Sequence, residues 1–444
     1  MQNMAKSQEI SVAQATAVSL GAIIGAGIFV LSGTVLSLDG AYSFLSFIYM
    51  GFVSLVIAFE LGELTSLFPQ TKGSSYSFAY EAFGSQMGFV TGVLMYFSYA
   101  TSISAIALGF GSYLVRLIGL GDPVMLAILL IAVLTVVNMI GVKKAAETDF
   151  YIVVVKVLVL LIFIAFALFI STRIPNVFSH FEVPKDPVNG FFQSSGAIIF
   201  AYSGFQSVAT IASDVKGGGK GAAKAIVYSV IISMALYIAV ALSMVVMAPT
   251  SSYAISADPL SVALSLAKAP QFMKLIVDFG ALLATTSATL ATILTSSRML
   301  YQMGADGLLP RITTKYDSKR DVASTGVMIS SMIGVITLFA GNVYVIVAIS
   351  NFGLLFSYLM TTLAIIHFRR KGLISSFRTP LYPYLTVVTF GALLTVFLGM
   401  PKEALIIGVI TTLMLIMGYS MIREAKREVP EKIRLFEKRN GKID

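Results

Sequence analysis

Lys156 stands in an expensive place. It lies in DFYIVVVKVLVLLIFIAF, a run that holds no other cation, about seven residues or 10 Å in if the run is helical. An ionisable group at membrane depth is a functional candidate, although a side chain this long can also snorkel to the nearer interface. Desolvation opposes its charged form, so a proton held there can come and go, which is the chemistry of ion coupling. A second chemistry is that of bare backbone. GAIIGAGIF, from Gly21 to Phe29, puts three glycines into another apolar run, and each weakens a helix by about 1 kcal/mol relative to alanine. Gly21 and Gly25 have the GxxxG spacing of closely packed helices; the alternative is a broken helix whose amides meet a ligand.

FAYSGF, Phe200–Phe205, interrupts a further run five apolar runs later. An odd number of crossings turns the second interrupted helix upside down relative to the first, and matched interruptions in two halves of a chain point to a transporter binding site. Glu60 and Glu63 are three residues apart and share a helical face. For Glu63, near a helix end, a hydrogen bond to a neighbouring helix or a gating pair with a loop base is expected; Asp278 receives no role. KGGGKGAAK, Lys216–Lys224, lacks the Gly-x4-Gly-Lys-[Ser/Thr] pattern and a preceding strand, so it reads as a flexible basic loop and not as a phosphate cradle.

The elements that must hold these residues are membrane helices. Of 444 residues, 57% are hydrophobic and only 12% charged, with a mean hydropathy of +0.87, far from soluble domains, where about a quarter are charged. Twelve apolar runs are long enough for a hydrocarbon core of about 30 Å: 12–37, 41–68, 86–118, 123–140, 149–171, 189–213, 223–248, 274–301, 324–341, 343–367, 381–399 and 403–422. One transmembrane domain fills the chain, with no linker for a soluble catalytic or nucleotide-binding domain. The first run exceeds the h-region of about 7–15 residues in a signal peptide, and only Lys6 precedes it, so a retained helix is expected. Cysteine and tryptophan are absent, which excludes disulfides and thiolate metal sites and leaves tyrosine as the interfacial aromatic.

Charge orients the bundle. Lys72, Lys143, Lys144, Lys216, Lys220, Lys224, Arg311, Lys315, Lys319, Arg320, Arg369, Arg370, Lys371 and Arg378 fall in alternate loops, with more in the tail from Arg423 to Lys442. The opposite loops and helix ends hold Arg116, Arg173, Lys185, Lys268, Lys274 and Lys402. The asymmetry predicts that both termini are cytoplasmic. Acids interspersed in the tail argue against nucleic acid and for a solvated, lipid-facing segment. SADPLSVALSLAK, Ser256–Lys268, predicts a short outer helix capped by Asp258, with Pro259 in its first turn; it could cover an external vestibule or merely connect.

Several motifs resemble the amino acid–polyamine–organocation superfamily of permeases: GAIIGAGIFVLSG (Gly21–Gly33), ELTSLFP (Glu63–Pro69), YEAFG (Tyr80–Gly84), FAYSGF, RMLYQMGADGLLP (Arg298–Pro310) and FRTPLYP (Phe377–Pro383). They follow the family's order over nearly the whole chain. After FAYSGF the chain departs from the pattern, keeping an acid at Asp214 and placing glycines where the family often has Asn-Pro. The resemblance implies an all-α fold with twelve transmembrane helices: a five-plus-five inverted repeat over about 12–171 and 189–367, discontinuous helices 1 and 6, two further helices over about 381–422 and a cytoplasmic tail, 423–444. It implies a carrier of amino acids or related amines in the plasma membrane, with no cofactor. Physics agrees with that function: amides freed by unwinding near Ile24 to Gly27 favour a carboxylate at a helix N-terminus, and carbonyls freed near Phe200 to Ser203 accept from an ammonium. By the family pattern, Ile23, Ala26 and Gly27 contact the carboxylate, and Phe200, Ala201 and Ser203 the amine. Tyr202 or Phe205 could close the pocket as a gate or simply pack. Ser350 and Asn351, polar in an apolar run, fit either the pocket or interhelical hydrogen bonds.

The same resemblance places Lys156 where sodium-coupled relatives hold a cation, near the Gly21 carbonyl and the hydroxyls of Thr286 and Ser287. A fixed ammonium there would substitute for sodium, and its deprotonation would make the carrier a proton-coupled symporter; pure exchange is the alternative within the fold. The pocket nominated has no strong acid, which favours a neutral amino acid over a cationic one. Against a membrane-embedded enzyme, His180 falls in a loop and His367 at a helix end, with no HExxH. Against a channel, the polar residues cluster at the helix breaks instead of lining a pore.

Overall fold

The computed structural model describes residues 10–69, 75–141, 145–174, 176–318 and 320–425. Lys6, Lys72, Lys143, Lys144, Lys319 and the tail from Lys426 on lie outside the described residues. All regular structure among those described is helical: α1 (Val12–Ile23), α2 (Ala26–Asp39), α3 (Ser43–Leu67), α4 (Ser75–Phe83), α5 (Ser85–Ile118), α6 (Pro123–Ile140), α7 (Ala145–Ser171), α8 (Pro187–Tyr202), α9 (Gly218–Met247), α10 (Pro259–Leu266), α11 (Gln271–Ala305), α12 (Ser324–Thr337), α13 (Val343–Arg370), α14 (Tyr384–Leu398) and α15 (Lys402–Ala425). Local chemistry sets many of the ends. Asp122 accepts from the amides of Val124 and Met125, with Pro123 in the first turn of α6, while α5 stops at Gly119 in the left-handed region, φ 72°, which costs glycine little.

Nine helical stretches among the described residues are long and apolar enough to cross a membrane. The first, Gly27–Leu67, joins α2 and α3 through a short turn, and α1, α14 and Ser324–Ala340 are shorter apolar helices. The bundle is apolar outside as well as inside. Val136 is 58% exposed on α6 and Met414 68% on α15, a surface that water would not tolerate and lipid would. α5 is the central helix, packed on α4, α6, α11 and α13, while α9 packs on α1, α3 and α7. The protein is a multi-pass membrane protein.

Two expectations need correction. KGGGKGAAK is not a flexible loop: from Gly218 it forms the first turns of α9. Gly217 and Gly218 have φ of 87° and 57°, and a Cβ on Gly219 would stand 2.6 Å from the Thr65 carbonyl oxygen. The glycines thus turn the chain and let α9 start against the end of α3. Ahead of them, Ile10 and Val215 form a parallel bridge, with the Ile10 amide donating to Asp214 O and the Lys216 amide to Ile10 O. The other correction is at Asp258. It occupies the position before α10, and Pro259 is in the first turn as expected, but its side chain makes no capping bond; it pairs with Arg116 instead.

Candidate functional site

Two helix breaks meet in the interior. The first is two residues long: α1 ends at Ile23, Ile24 and Gly25 are non-helical, and α2 starts at Ala26. The expected unwinding from Ile24 to Gly27 is therefore shorter, since Ala26 and Gly27 already belong to α2. No side chain caps α2, so its first amides and the positive end of its dipole face the break. The second break follows Tyr202: Ser203 is extended, Gly204 has φ 111°, and the chain continues as a 3-10 helix from Phe205 to Asp214. It lies at the far edge of the stretch expected from FAYSGF.

The glycines of the first break are packed as well as broken. A Cβ on Gly21 would stand 2.7 Å from Val153 Cγ2, one on Gly25 2.8 Å from Ala288 Cβ, and one on Gly27 would overlap the backbone of Ala201. Packing and binding, the two readings of GAIIGAGIF, are not exclusive here. Gly27 lets the two broken helices touch backbone to backbone.

At the end of α1 the Gly25 amide donates to Ile23 O at 2.8 Å, and two buried side chains from other helices also reach carbonyls of its last turn. Lys156 Nζ donates to Gly21 O at 3.1 Å; Lys156 is 2% exposed, so it does not snorkel. The Tyr237 hydroxyl of α9 lies 2.8 Å from Ile23 O and 3.2 Å from Ala201 O. It has one proton for two acceptors, and those acceptors belong to the two different breaks. Sequence reasoning missed Tyr237: a tyrosine in an apolar run reads as packing or as an interfacial aromatic, and nothing local signals its role.

At the second break the chain supplies its own partners. Phe200 O accepts from the Ser203 amide at 3.1 Å and the Ser203 hydroxyl at 2.7 Å. A cavity of about 70 Å³ opens between the breaks, lined by Ile23, Gly27, Phe200 and Ser203 of the six residues expected to touch a ligand. Ala201 stands beside it in the chain without lining it. Tyr99, Ser102 and Ile106 of α5 and Ala288, Ala291 and Thr292 of α11 form the remaining walls; neither helix was nominated for them. At about 10–15 Å³ per water-sized group, the space holds on the order of five such groups, the scale of a small amino acid. Among the described residues, the lining carries no carboxylate and no cation. Ile106 and Phe200 are buried, while Ala22, Ser207 and Thr292 are half-buried, so the cavity opens toward α1 and the 3-10 helix and is closed toward α2.

The other nominated residues are dispersed. The Tyr202 hydroxyl donates to Phe47 O, and Phe205 stacks on Tyr358 with ring centroids 5.6 Å apart; neither lines the cavity, whose aromatic walls are Tyr99 and Phe200. Ser350 donates to Ser98 O and meets the Ser102 hydroxyl, and Asn351 donates to Gly196 O, so both tie helices together. On α11, Ser287 donates within its own helix to Ala284 O, and Thr286 is half-buried beside it. Glu63 pairs with Arg369 and accepts from the Thr379 amide at 2.6 Å, whereas Glu60 accepts from the Thr362 hydroxyl. His180 Nδ1 lies 2.9 Å from Val246 O, and His367 is inside α13.

Broken helices that meet at a small uncharged cavity, inside an apolar bundle, belong to a membrane transport protein and not to an enzyme. The chain belongs to the amino acid permease family, whose model matches residues 14–423. Among its relatives are a methylthioribose transporter of Bacillus subtilis, 28% identical over 87% of both chains, and a branched-chain amino acid permease of the same organism, 28% identical over 82% of this chain and 81% of its own. A mitochondrial cationic amino acid transporter of Arabidopsis thaliana is 27% identical over 79% of this chain and 60% of its own.

Proposed function

We propose that this protein is a secondary active transporter that carries a small neutral amino acid in symport with protons, by alternating access. Its twelve spans form a five-plus-five inverted repeat over about 12–171 and 189–367 with α14 and α15 outside it, in the plasma membrane with both termini cytoplasmic. The observation that carries the reading is the pair of contacts on the end of α1: Lys156 on Gly21 O and Tyr237 on Ile23 O, beside a cavity that the uncapped α2 faces. The substrate carboxylate sits at the amides of Ala26 and Gly27, and its ammonium at the carbonyls of Phe200 and Ala201, where it competes with Ser203 and Tyr237. A charged Lys156 donates a strong hydrogen bond to Gly21 O and fixes α1; the neutral amine is a weaker donor. Loss of the proton thus frees α1 to move, which links the proton to access.

The uncharged lining supports a neutral side chain over a cationic one, in line with the branched-chain permease more than with the cationic transporter. Uptake of labelled amino acids into proteoliposomes, in sodium-free buffer with and without an inward proton gradient, tests the proposal. Gradient-driven accumulation is expected, and lost in Lys156→Ala. Uptake that ignores the gradient and requires amino acid inside would make the protein an exchanger. Methylthioribose belongs in the substrate pool, because it lacks the zwitterion that both breaks are read to hold.

A further inference from the structure

On the closed side of the cavity, α2 is gripped from two directions. Tyr113 of α5, fully buried, donates its hydroxyl to Phe29 O of α2 at 2.7 Å and accepts from the Leu260 amide of α10 at 3.4 Å. Gly33 of α2 has no room for a side chain against Pro259 of α10, where an added Cβ would stand 2.7 Å from Pro259 Cβ. Gly109 of α5 likewise presses on Val30. Three elements therefore close over the cavity together, and α10, eight residues long, is the small one that can lift.

One ion pair fastens it. Arg116, in the last turn of α5, pairs with Asp258 just before α10, with side chains 37% and 10% exposed. A second carboxylate lies nearby: Asp278 of α11 is 4% exposed, Ser261 of α10 lies beside it, its Oδ1 has no hydrogen-bond partner, and it is within electrostatic reach of Arg116, Asp258 and Lys274. If α10 lifted with Asp258, Arg116 would be left as an uncompensated charge, which is costly in a partly dry site. A carboxylate on a long, fixed helix removes that cost.

We propose that Arg116 is an exchange latch: it holds Asp258 while α10 straps α2 shut, and it passes to Asp278 when α10 lifts and the cavity opens on that side. Two discrete partners for one cation make the strap bistable, as alternating states require. The inference rests on the carrier reading, because only a carrier must open at both ends in turn.

The chain has no cysteine, so a single cysteine at Ile106, which lines the cavity, reports its opening without interference. A membrane-impermeant maleimide is applied to proteoliposomes from the face that carries α10. Asp258→Asn is expected to speed labelling about tenfold, since it unfastens the strap while Asp278 still receives Arg116, and Asp278→Asn to slow it by a similar factor, since it removes the open-state partner. Arg116→Lys should stay close to the parent. Should Asp258→Asn fail to give monodisperse protein, Asp258→Ser reads the same unfastening with Arg116 and Asp278 intact and should also label faster. Opposite signs at the two aspartates are the signature; a merely structural pair would shift both the same way, and that result, or no change at either, overturns the latch. Labelling needs no substrate, so opposite shifts without any amino-acid uptake would overturn the amino-acid substrate and leave a carrier that opens through the latch.

Discussion

The two helix breaks solve the same problem in different ways. Where α8 stops, the chain caps itself: Ser203 turns its amide and hydroxyl back onto Phe200 O, and Gly204 supplies the left-handed turn. Where α1 stops, the Gly25 amide takes Ile23 O at 2.8 Å, but two distant residues also hold the last turn, Lys156 of α7 on Gly21 O and Tyr237 of α9 on Ile23 O. A self-capped end keeps its shape wherever the helix goes. An end held from elsewhere is positioned by its neighbours, and in the proposed mechanism loss of the Lys156 proton would be felt as a shift of the helix. The charged Lys156 contact is what the first break has and the second lacks, since Tyr237 reaches carbonyls of both, a contrast that substitutions can test.

The largest effect is expected where the two breaks touch. Gly27→Val would drive a branched side chain into the backbone of Ala201, and backbone cannot swing aside as a side-chain end can. Overpacking costs about 1–3 kcal/mol when side chains can adjust, and more when they cannot. Uptake should be abolished and the thermal unfolding temperature lowered by several degrees. Normal stability with normal uptake would mean that the breaks separate more readily than their packing allows.

Lys156→Ala tests the distant cap next. Removing the side chain leaves Gly21 O without this donor in an apolar interior, a loss of about 1–3 kcal/mol. The specific expectation is a split: substrate exchange persists at a reduced rate, while accumulation driven by a proton gradient disappears. Retained accumulation under the gradient would remove the lysine from coupling and leave it as a strut.

Tyr237→Phe is expected to act more mildly, because one hydroxyl is shared by two carbonyls and Ile23 O keeps the Gly25 amide as donor. A loss of about 1 kcal/mol corresponds to uptake lowered several-fold, and it should fall mainly on the apparent affinity, since both acceptors lie beside the proposed ammonium site. An effect on the maximal rate alone would place Tyr237 in the movement of α1 instead.

This contrast was only half legible in the sequence. Spaced glycines betrayed the first break and the small and polar residues of FAYSGF the second, because both weaken a helix where an apolar span has no water to take up its backbone groups, and Lys156 was conspicuous as a charge in the wrong solvent. Tyr237 was silent, since a bond from a side chain to a carbonyl more than 200 residues away leaves no local pattern. So was the wall of the cavity on α5 and α11: Ile106, Ala288 and Ala291 are ordinary apolar residues until the fold turns them inward. KGGGKGAAK misled for a physical reason. Glycine lowers helix propensity, but close packing of α9 on the end of α3 needs residues without side chains, and tertiary contact prevailed over propensity. Asp258 misled similarly, because a capping position predicts a local bond, and a cation from α5 drew the carboxylate away from the backbone amides.

Ser203→Ala should have the smallest effect, and its sign is the informative part. The Ser203 hydroxyl occupies Phe200 O at 2.7 Å, the carbonyl proposed to receive the substrate ammonium, while the Ser203 amide holds the same oxygen at 3.1 Å. A carbonyl has two lone pairs, so losing the hydroxyl leaves the break capped by the amide and opens one lone pair to the ligand. Stability should change by less than about 1 kcal/mol, and the apparent KM for uptake should stay constant or fall. A KM that rises several-fold would instead make the hydroxyl itself a substrate contact, and the second break would then bind through a side chain as well as through its carbonyls.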